Sequence, residues 1–467
     1  MTIADHQIQL DETAVADLCA TFRGPLVQPG DPTYEADRRI WNGSIDKRPA
    51  LIARCLGVAD VIAAVRFARA HGLIVALRGG GHSFPGYSTC DGGVLIDLSL
   101  MKGIRVDPEA RTARVQAGVV IGELDHETQT FGLAVPAGIV THTGVAGLTL
   151  GGGIGFQHRK YGLTIDNLLS VDVVTAEGEF VKANADENAD LFWGLRGGGG
   201  NFGIVTEFEF RLNPLGPIVM SGAVLWPVAD APEVLRFYRD WIEDCPDELM
   251  TVAVARRAPD LPFVPRDLVG QRVVGVASCY CGPVEDGEKV LAPLRSFGSP
   301  VVDGCTPKPF VAHQASFDPT FEPGWWYYFK ALDVARLSDE VIDITAEHVA
   351  RIQSPITSIA LWQLGGAMSR VGDDETAFNG RKSGHTFNIN GNVFDGEGFD
   401  AERQWVRDFW SALQPHQTGV YVNFLGDEGE GRVREAYGRE KFDRLRALKR
   451  KYDPDNFFRL NQNIPPD

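Results

Sequence analysis

The hydrophobic positions between residues 58 and 132 switch between helical and strand spacing. Val58, Val61, Ile62 and Val65 recur with a helical period, which predicts a helix that Gly72 ends. The apolar run 73–77 follows at once and predicts a buried strand. Further apolar runs predict strands at 94–98, 104–106 and 112–117, and then a short helix that ends at Gly132.

The next segments alternate in the manner of strands. Residues 171–175 and 179–182 flank Glu177-Gly178, which indicates a hairpin, and residues 204–211 predict another strand. Pro214 and Pro217 then mark a boundary. Before these elements, residues 1–45 predict a helical segment that leads to Trp41.

From about residue 221 to 415 the pattern changes. Short stretches of alternating aromatic and apolar residues recur between helical patterns such as DEVIDITAEHVARI. This pattern predicts an antiparallel sheet backed by helices, and therefore a second domain of an α+β protein. The last 50 or so residues predict a strand in GVYVNFL and a basic amphipathic helix. We expect the basic residues of that helix to form a solvated face: Arg446, Lys449, Arg450 and Lys451.

Composition narrows the functional classes. The chain has 467 residues and a formal net charge of −17, which argues against a nucleic-acid partner or an anionic membrane surface. Its seven cysteines are scattered and show no metal-site spacing. The N-terminus lacks the pattern of a signal peptide, and no apolar run reaches about 18 residues. These features predict a cytoplasmic protein with no membrane segment and no bound metal.

Glycine is the anomaly, with 52 residues, many of them in three runs at 78–83, 151–155 and 197–203. The third run contains a formal GxGxxG, but a strand pattern follows it where a dinucleotide-binding βαβ unit would have a helix, so we reject that fold. Backbone amides in glycine-rich turns can still hold a pyrophosphate, and Arg78 would neutralise a phosphate nearby. Tight turns explain one run, but three runs favour a large phosphate-bearing cofactor.

Four long segments carry a resemblance to a known family. They read RGGGHSFPGYS, PAGIVTHTGVAGLTLGGGIGFQHRKYGLTIDN, LFWGLRGGGGNFGIVTEFEF and KYDPDNFFRLNQNIPP. In this order they resemble the berberine-bridge-enzyme-like group of the vanillyl-alcohol oxidase / p-cresol methylhydroxylase superfamily. The resemblance runs from about residue 41 to 466 and is weakest in the middle third. It implies a PCMH-type FAD-binding domain at 1–215 with its core at about 46–215, a substrate domain at 216–415, and a segment at 416–467 that returns to the FAD domain.

The resemblance also implies how FAD is held. The histidine after the first glycine run, His82, would be bonded to the flavin 8α-methyl group. Many members have a second link through a cysteine, but Val140 stands at that position here, so the resemblance implies attachment through His82 only. The other residues expected to contact the cofactor are Arg78, Gly79, Gly80, Gly81, Ser83, Gly86, Ser88, Pro136, Gly138, Thr143, Gly144, Gly147, Gly152, Gly153, Gly155, Tyr161, Gly162, Asn167, Gly203, Ile204, Val205, Tyr421, Asn461 and Asn463.

The catalytic candidates are fewer. Tyr421 and Asn423 match a Tyr-x-Asn strand on which the tyrosine acts as base in some relatives. A free tyrosine has a pKa near 10, so a neighbour or the reduced-flavin site would have to lower it. The stretch 359–364 has no Asp or Glu, which argues against a carboxylate base there. His142 is a further candidate near the flavin. Residues expected to line the substrate pocket are Trp362, Gln363, His385, Asn388 and Asn390.

The resulting hypothesis is an FAD-linked oxidase that transfers a hydride from an alcohol, sugar or amine carbon to FAD and then to O2, which gives H2O2. A tailoring oxygenase or carbon–carbon bond-forming oxidase of secondary metabolism shares every cofactor residue and remains an alternative. So does a non-catalytic flavin-binding protein. The sequence leaves the substrate and the oligomeric state open.

Overall fold

A computed structural model describes residues 10–262 and 264–466 of the chain. The first nine residues, part of the predicted helical N-terminal segment, lie outside the described residues. The strands are β1 Leu26–Val27, β2 Leu51–Arg54, β3 Val75–Arg78, β4 Val94–Asp97, β5 Ile104–Asp107, β6 Thr112–Gln116, β7 Leu133–Ala134, β8 Leu168–Val174, β9 Phe180–Asn184, β10 Ile204–Arg211, β11 Asn213–Pro214, β12 Ile218–Pro227, β13 Leu249–Arg257, β14 Arg272–Tyr280, β15 Val302–Asp303, β16 Thr306–Pro309, β17 Trp326–Val334, β18 Ser358–Gln363, β19 His385–Val393 and β20 Gln417–Gly419.

Helices lie between these strands and at both ends of the described chain. They are α1 Glu12–Thr21, α2 Tyr34–Asp37, α3 Val58–Ala70, α4 Ile121–Gln129, α5 Val145–Leu150, α6 His158–Tyr161, α7 Ala189–Leu195, α8 Ala231–Ile242, α9 Val284–Ser296, α10 Phe310–Gln314, α11 Asp339–Val349, α12 Ala367–Arg370, α13 Phe399–Leu413, α14 Glu430–Tyr437 and α15 Arg439–Tyr452. In the described part of the chain, none of them combines the length and the apolar character that a membrane crossing needs.

The first sheet has the strand order β1-β2-β4-β3, and its last three strands are parallel. Helix α3 connects β2 to β3 and buries Val61 and Val65 against the sheet, as its apolar period predicts. The helix ends before Gly72, which has a φ of +62°. The first glycine run therefore begins at the C-terminal end of strand β3.

The second sheet is antiparallel, with the order β5-β6-β10-β8-β9. Its β8–β9 hairpin turns at Gly178, whose φ of +70° suits the tight turn that Glu177-Gly178 predicts. One hydrophobic core joins this sheet to the first sheet and also takes in Leu445 and Leu448 of α15. Helix α15 from the end of the chain thus packs into the core made by the beginning of the chain.

The third sheet is antiparallel, with the order β15-β12-β14-β13-β18-β19-β17-β20, and β16 pairs with β12. Helices α8, α9, α11 and α13 cover one face and form a second core with it. The predicted α+β fold, with an antiparallel sheet backed by helices, is confirmed. The predicted limits of the domains at 215 and 415 stay a prediction.

Helix α15 departs from its prediction. Lys449 is fully buried, and its Nζ donates to Asp453 at 2.7 Å, to Asn201 O at 2.8 Å and to Phe458 O at 2.9 Å. The predicted solvated face is therefore wrong at Lys449, although Lys451 is exposed. A buried ammonium needs such partners because burial of an unpaired charge is very unfavourable. Lys449 thus connects the C-terminal segment at Phe458 with Asn201 of the third glycine run.

Candidate active site

A cavity of about 440 Å³ lies between the uncovered face of the third sheet and the glycine-rich segments. One wall is made by the turns 79–81, 138–151 and 199–203, and the opposite wall by β13, β18 and β19. The C-terminal segment closes one side with residues 421–425 and 460–462. Residues from all four motif segments of the sequence therefore line this one cavity.

The glycine wall depends on a close approach of two backbones. A Cβ on Gly80 would lie 2.3 Å from the nitrogen of Gly144, and a Cβ on Gly144 would lie 2.4 Å from the nitrogen of Gly80. Only glycine fits at both positions, because real Cβ contacts are never so short. Gly147 and Gly200 differ, since a Cβ on either would meet no protein atom within 4 Å and both line the cavity.

His82 lies in the cavity, two residues after Gly80. Its ring stacks on Trp41 with centroids 4.8 Å apart, and its Nε2 lies 2.7 Å from Nδ1 of His142. Among the described residues, Thr143 Oγ1 at 3.4 Å is the only hydrogen-bond partner of its Nδ1. Burial and the neighbouring His142 lower the pKa of His82 to about 3, so the imidazole is neutral. Nδ1 is therefore the ring nitrogen of His82 that is left for another bond.

His142 contacts the ring of His82 through the hydrogen bond between His142 Nδ1 and His82 Nε2. Burial lowers the pKa of His142, although Asp318 and Glu322 oppose the shift. Asp318 also accepts hydrogen bonds from the backbone N–H and the hydroxyl of Thr141, which fixes the loop that carries His142. His142 does not itself line the cavity. The structure places it as a partner of His82.

Tyr421 lines the cavity from the C-terminal segment. Its hydroxyl accepts hydrogen bonds from Gly153 N at 2.9 Å and from Asn423 Nδ2 at 2.7 Å. Asn423 also donates to Leu148 O at 3.0 Å. Burial raises the pKa of Tyr421 to about 12, against the opposing effect of these two hydrogen bonds. Neighbours thus lower the pKa of Tyr421 as expected, but burial outweighs them and the net shift is upward.

The backbone around Tyr421 also differs from its prediction. Strand β20 ends at Gly419, and Val422–Phe424 forms a 3-10 turn, so the predicted strand through Tyr421 is wrong. The turn brings Asn423 against Gly151, where a Cβ would lie 2.0 Å from Asn423 Oδ1. The second glycine run thus makes room for the Tyr421–Asn423 pair.

Three of the five residues predicted to line the substrate pocket lie on the cavity face of the third sheet, and two lie on its other face. Trp362, Asn388 and Asn390 lie on the face of β18 and β19 that lines the cavity. Gln363 pairs with His385, and both belong to the opposite face, where they line a separate cavity beside α8. Because successive side chains alternate between the faces of a strand, Gln363 cannot share a face with Trp362. The structure therefore does not bring Gln363 and His385 to this site.

Arg78 is also placed elsewhere than predicted. Its guanidinium is buried and forms a forked ion pair with Asp97, at 3.0 Å from Nε and 2.7 Å from Nη2. Its Nη1 donates to the backbone oxygens of Asp37 and Arg39. These partners use its donors, and Arg78 does not line the cavity. It braces the end of β3 and does not face a phosphate.

The remaining predicted cofactor residues fall into two groups. Those that line the cavity are Gly79, Gly80, Gly81, His82, Ser83, Ser88, Gly138, Thr143, Gly144, Gly147, Gly203, Ile204, Val205, Tyr421 and Asn461. Those that stand outside its lining are Gly86, Pro136, Gly152, Gly153, Gly155, Tyr161, Gly162, Asn167 and Asn463. The second group shapes the loops: Thr164 donates to Pro136 O, and Asn167 donates to Tyr161 O.

The lining fits a large polar cofactor. Buried oxygens of Ser88, Tyr437 and Asn461 have no hydrogen-bond partner among the described residues, although all three residues line the cavity. Buried polar groups are normally paired, so these oxygens indicate a ligand. Nowhere in residues 10–262 and 264–466 do three or more His, Cys, Asp or Glu side chains group as metal ligands.

Sequence reasoning missed Arg256, which lines the sheet wall of the same cavity. It also missed Phe317 and Phe321, which stand in a segment without a motif. Arg256 carried a signal, because a charged residue at the end of the alternating run VAVARRA falls on one defined face of its strand. That face is the cavity face.

Comparisons with known proteins identify the family to which this chain is similar. The family model described as "FAD binding domain" matches residues 49–184, and the one described as "Berberine and berberine like" matches residues 420–465. An FAD-linked oxidoreductase of Dictyostelium discoideum is 33% identical over 97% of both chains. (R)-6-hydroxynicotine oxidase of Paenarthrobacter nicotinovorans is 31% identical, over 96% of this chain and 98% of its own. The crystal structure of 6-hydroxy-D-nicotine oxidase from Arthrobacter nicotinovorans has a TM-score of 0.85 and 30% identity, and covers 96% of this chain and 98% of that one.

Gly147 allows a test of what fills the cavity. A Gly147→Leu variant should fold, because helix α5 accepts leucine and no protein atom is near, but its flavin content should fall at least about fivefold, since overpacking costs about 1–3 kcal/mol. The measurement is the flavin absorbance per protein together with the thermal melt. Gly431→Leu in α14 is the matched control, since a Cβ there also meets no atom within 4 Å and Gly431 is outside the cavity. Full flavin content in Gly147→Leu would contradict the cofactor position.

Proposed function

This chain belongs to the FAD-linked oxidoreductases with a berberine-bridge-like C-terminal segment, and we propose that it is an oxidase whose one FAD is bonded to His82 alone. Its substrate is a small organic molecule oxidised at an alcohol, sugar or amine carbon, with O2 as the electron acceptor and H2O2 as the product. The observation that carries the proposal is the placement of His82 within the cavity, with Nδ1 left without a strong partner.

The histidine pair supports attachment at Nδ1. When Nδ1 of a neutral imidazole carries a carbon substituent, Nε2 has only a lone pair and must accept a hydrogen bond. Nδ1 of His142, 2.7 Å away, is then the donor. The low pKa values of both rings favour the neutral forms that this arrangement requires. His142 therefore fixes the ring orientation of His82 and is itself present as the Nδ1–H tautomer.

The composition of the cavity supports a single attachment. None of the described residues that line it is a cysteine. Val140, at the position where many relatives of this resemblance have a cysteine, does line it, and a valine offers no nucleophile. Among the described lining residues, His82 is the nucleophile at the position that the resemblance assigns to the covalent link.

Tyr421 is proposed as the proton acceptor for the substrate. FAD, when bound, accepts the hydride, and the protein must still remove a proton from the substrate oxygen or nitrogen. Both lone pairs of the Tyr421 hydroxyl accept hydrogen bonds, so its own O–H is left to point to a ligand. The same two donors stabilise the phenolate once the proton has left. Asn423 acts by positioning Tyr421.

Acid precipitation tests the covalent bond. The precipitate of wild-type protein should be yellow, and the precipitate of a His82→Ala variant should be colourless with free flavin in the supernatant. His126→Ala is the control, because His126 is exposed on α4 and should leave the colour unchanged. Release of flavin from the wild-type protein by acid would contradict the covalent claim.

Tyr421→Phe tests the base. The rate of peroxide formation should rise with pH through the alkaline range, because a tyrosine with a pKa of about 12 is increasingly ionised as the pH approaches that value. The variant should lose about 100-fold or more in kcat/KM and should lose the alkaline rise, while its flavin stays attached. Tyr452→Phe is the control, since the hydroxyl of Tyr452 pairs with Asp190 outside the cavity.

Two results would count against these roles. A Tyr421→Phe variant with a rate near that of wild type would remove Tyr421 as the base. Oxygen from O2 incorporated into the product, in place of stoichiometric H2O2, would replace the oxidase by the oxygenase alternative.

A further inference from the structure

Arg256 places a guanidinium in the cavity without a counter-ion. Its Nε donates to the backbone oxygen of Arg257 at 3.2 Å, and it forms no ion pair with any residue that the structure describes. Burial alone lowers the pKa of Arg256 to about 10, with no anion opposing the shift. The side chain is therefore still a cation at neutral pH, and its Nη donors are left for a ligand.

Polar side chains continue from Arg256 across the sheet. Arg256 pairs with Ser358 of β18, and Ser358 pairs with Asn390 of β19. Asn390 Nδ2 donates to Ser358 Oγ at 3.4 Å. The Oδ1 atoms of Asn388 and Asn390 are buried, line the cavity and have no partner among the described residues. We call Arg256, Ser358, Asn388 and Asn390 the polar strip.

The surroundings of the polar strip are apolar. Trp362, Phe317, Phe321 and Val254 line the same cavity. A cation among such side chains has lost water without gaining an anion, and buried charges in proteins are otherwise paired. A ligand with a negative charge would supply the missing partner and would also bring hydrogen-bonding groups to the two amides.

The position of the polar strip separates it from the glycine wall. The same row of the sheet continues from Asn390 to Phe329 of β17. Phe329 packs against Phe84, with centroids 4.7 Å apart, and against Trp41, which stacks on His82. Neighbouring strands are about 4.8 Å apart, so the row spans about 14 Å from the His82 end to Arg256. The row therefore lies over the space next to His82, on the wall opposite the glycine turns.

We propose that Arg256 is the carboxylate-binding residue of the substrate subsite, and that the substrates of this protein are organic acids with an apolar, ring-sized body. The guanidinium fork matches a carboxylate in a bidentate geometry. Ser358, Asn388 and Asn390 bind the polar groups beside the carboxylate. This inference rests on the proposed function, because it takes the space next to His82 as the reaction site.

Binding without turnover tests the inference. The holoprotein is titrated with benzoate, which is charged at neutral pH, and with benzamide, which has the same ring and no charge, and the change in the flavin spectrum gives both dissociation constants. Benzoate should bind at least about tenfold more tightly than benzamide, as expected for a charge-assisted pair. Arg256→Gln should remove that preference and leave the benzamide constant within about twofold.

Two further variants complete the experiment. Arg256→Lys keeps the charge without the fork and should keep part of the preference, so it also serves if Arg256→Gln does not fold. Arg257→Gln is the matched control, since the adjacent Arg257 donates to Gln353 O and Gly270 O outside the cavity. It should leave both constants unchanged.

Several outcomes would overturn the inference. Equal binding of benzoate and benzamide to wild type would do so, as would an unchanged preference in Arg256→Gln. A shift of the flavin reduction potential in Arg256→Gln with the preference intact would assign the guanidinium to the cofactor. Colourless protein after acid treatment would instead count against the proposed function, so the two failures are distinguishable.

Discussion

The crossing of two backbones at Gly80 and Gly144 is the constraint on which the site depends. The loop that leaves β3 and the loop that enters α5 lie in direct contact there, so no side chain fits at either residue. His82 follows Gly80 by two residues, and His142 precedes Gly144 by two residues. The crossing therefore determines the 2.7 Å contact between the two imidazoles. Arg78 and Asp97 hold the end of β3 that leads into this crossing.

The second constraint is the two-sided sheet. Helices cover one face of the antiparallel sheet, and the other face forms a wall of the cavity. Each residue of β18 and β19 therefore has one of two environments, and its position in the strand decides which. Asn388 and Asn390 face the cavity for the same reason that Phe387 and Ile389 enter the core. Arg256 and Ser358 fall on the cavity face by the same alternation.

Local patterns predicted much of this structure. The helix at Val58–Ala70, the hairpin at Gly178 and the strands of the third sheet follow from periodicity and turn residues, which act between near neighbours. The glycine runs and the histidine that follows the first of them also predicted the residues of the glycine wall. Gln363 and Trp362 are neighbours in β18, so alternation of side chains also predicts from the sequence that they lie on opposite faces of the sheet.

Long-range partners were beyond the reach of local patterns. Arg78 pairs with Asp97 across parallel strands, and Lys449 is buried by Asn201 and Phe458, so neither environment can be read from the neighbours in sequence. The end of β20 before Tyr421 has a similar cause, since Asn423 is drawn toward Leu148 and Gly151. Alternation puts Arg256 on one face of its strand, but the tertiary packing of the sheet decides that this face borders the cavity.

The other proposed roles depend on the attachment of one flavin by one bond to His82. Tandem mass spectrometry of the proteolysed holoprotein tests it most directly. Single attachment predicts a flavin on the peptide that contains His82, with the fragment ions placing it on that imidazole, and no flavin on any other peptide. An unmodified His82 peptide, or a flavin attached at another residue, would contradict single attachment at His82.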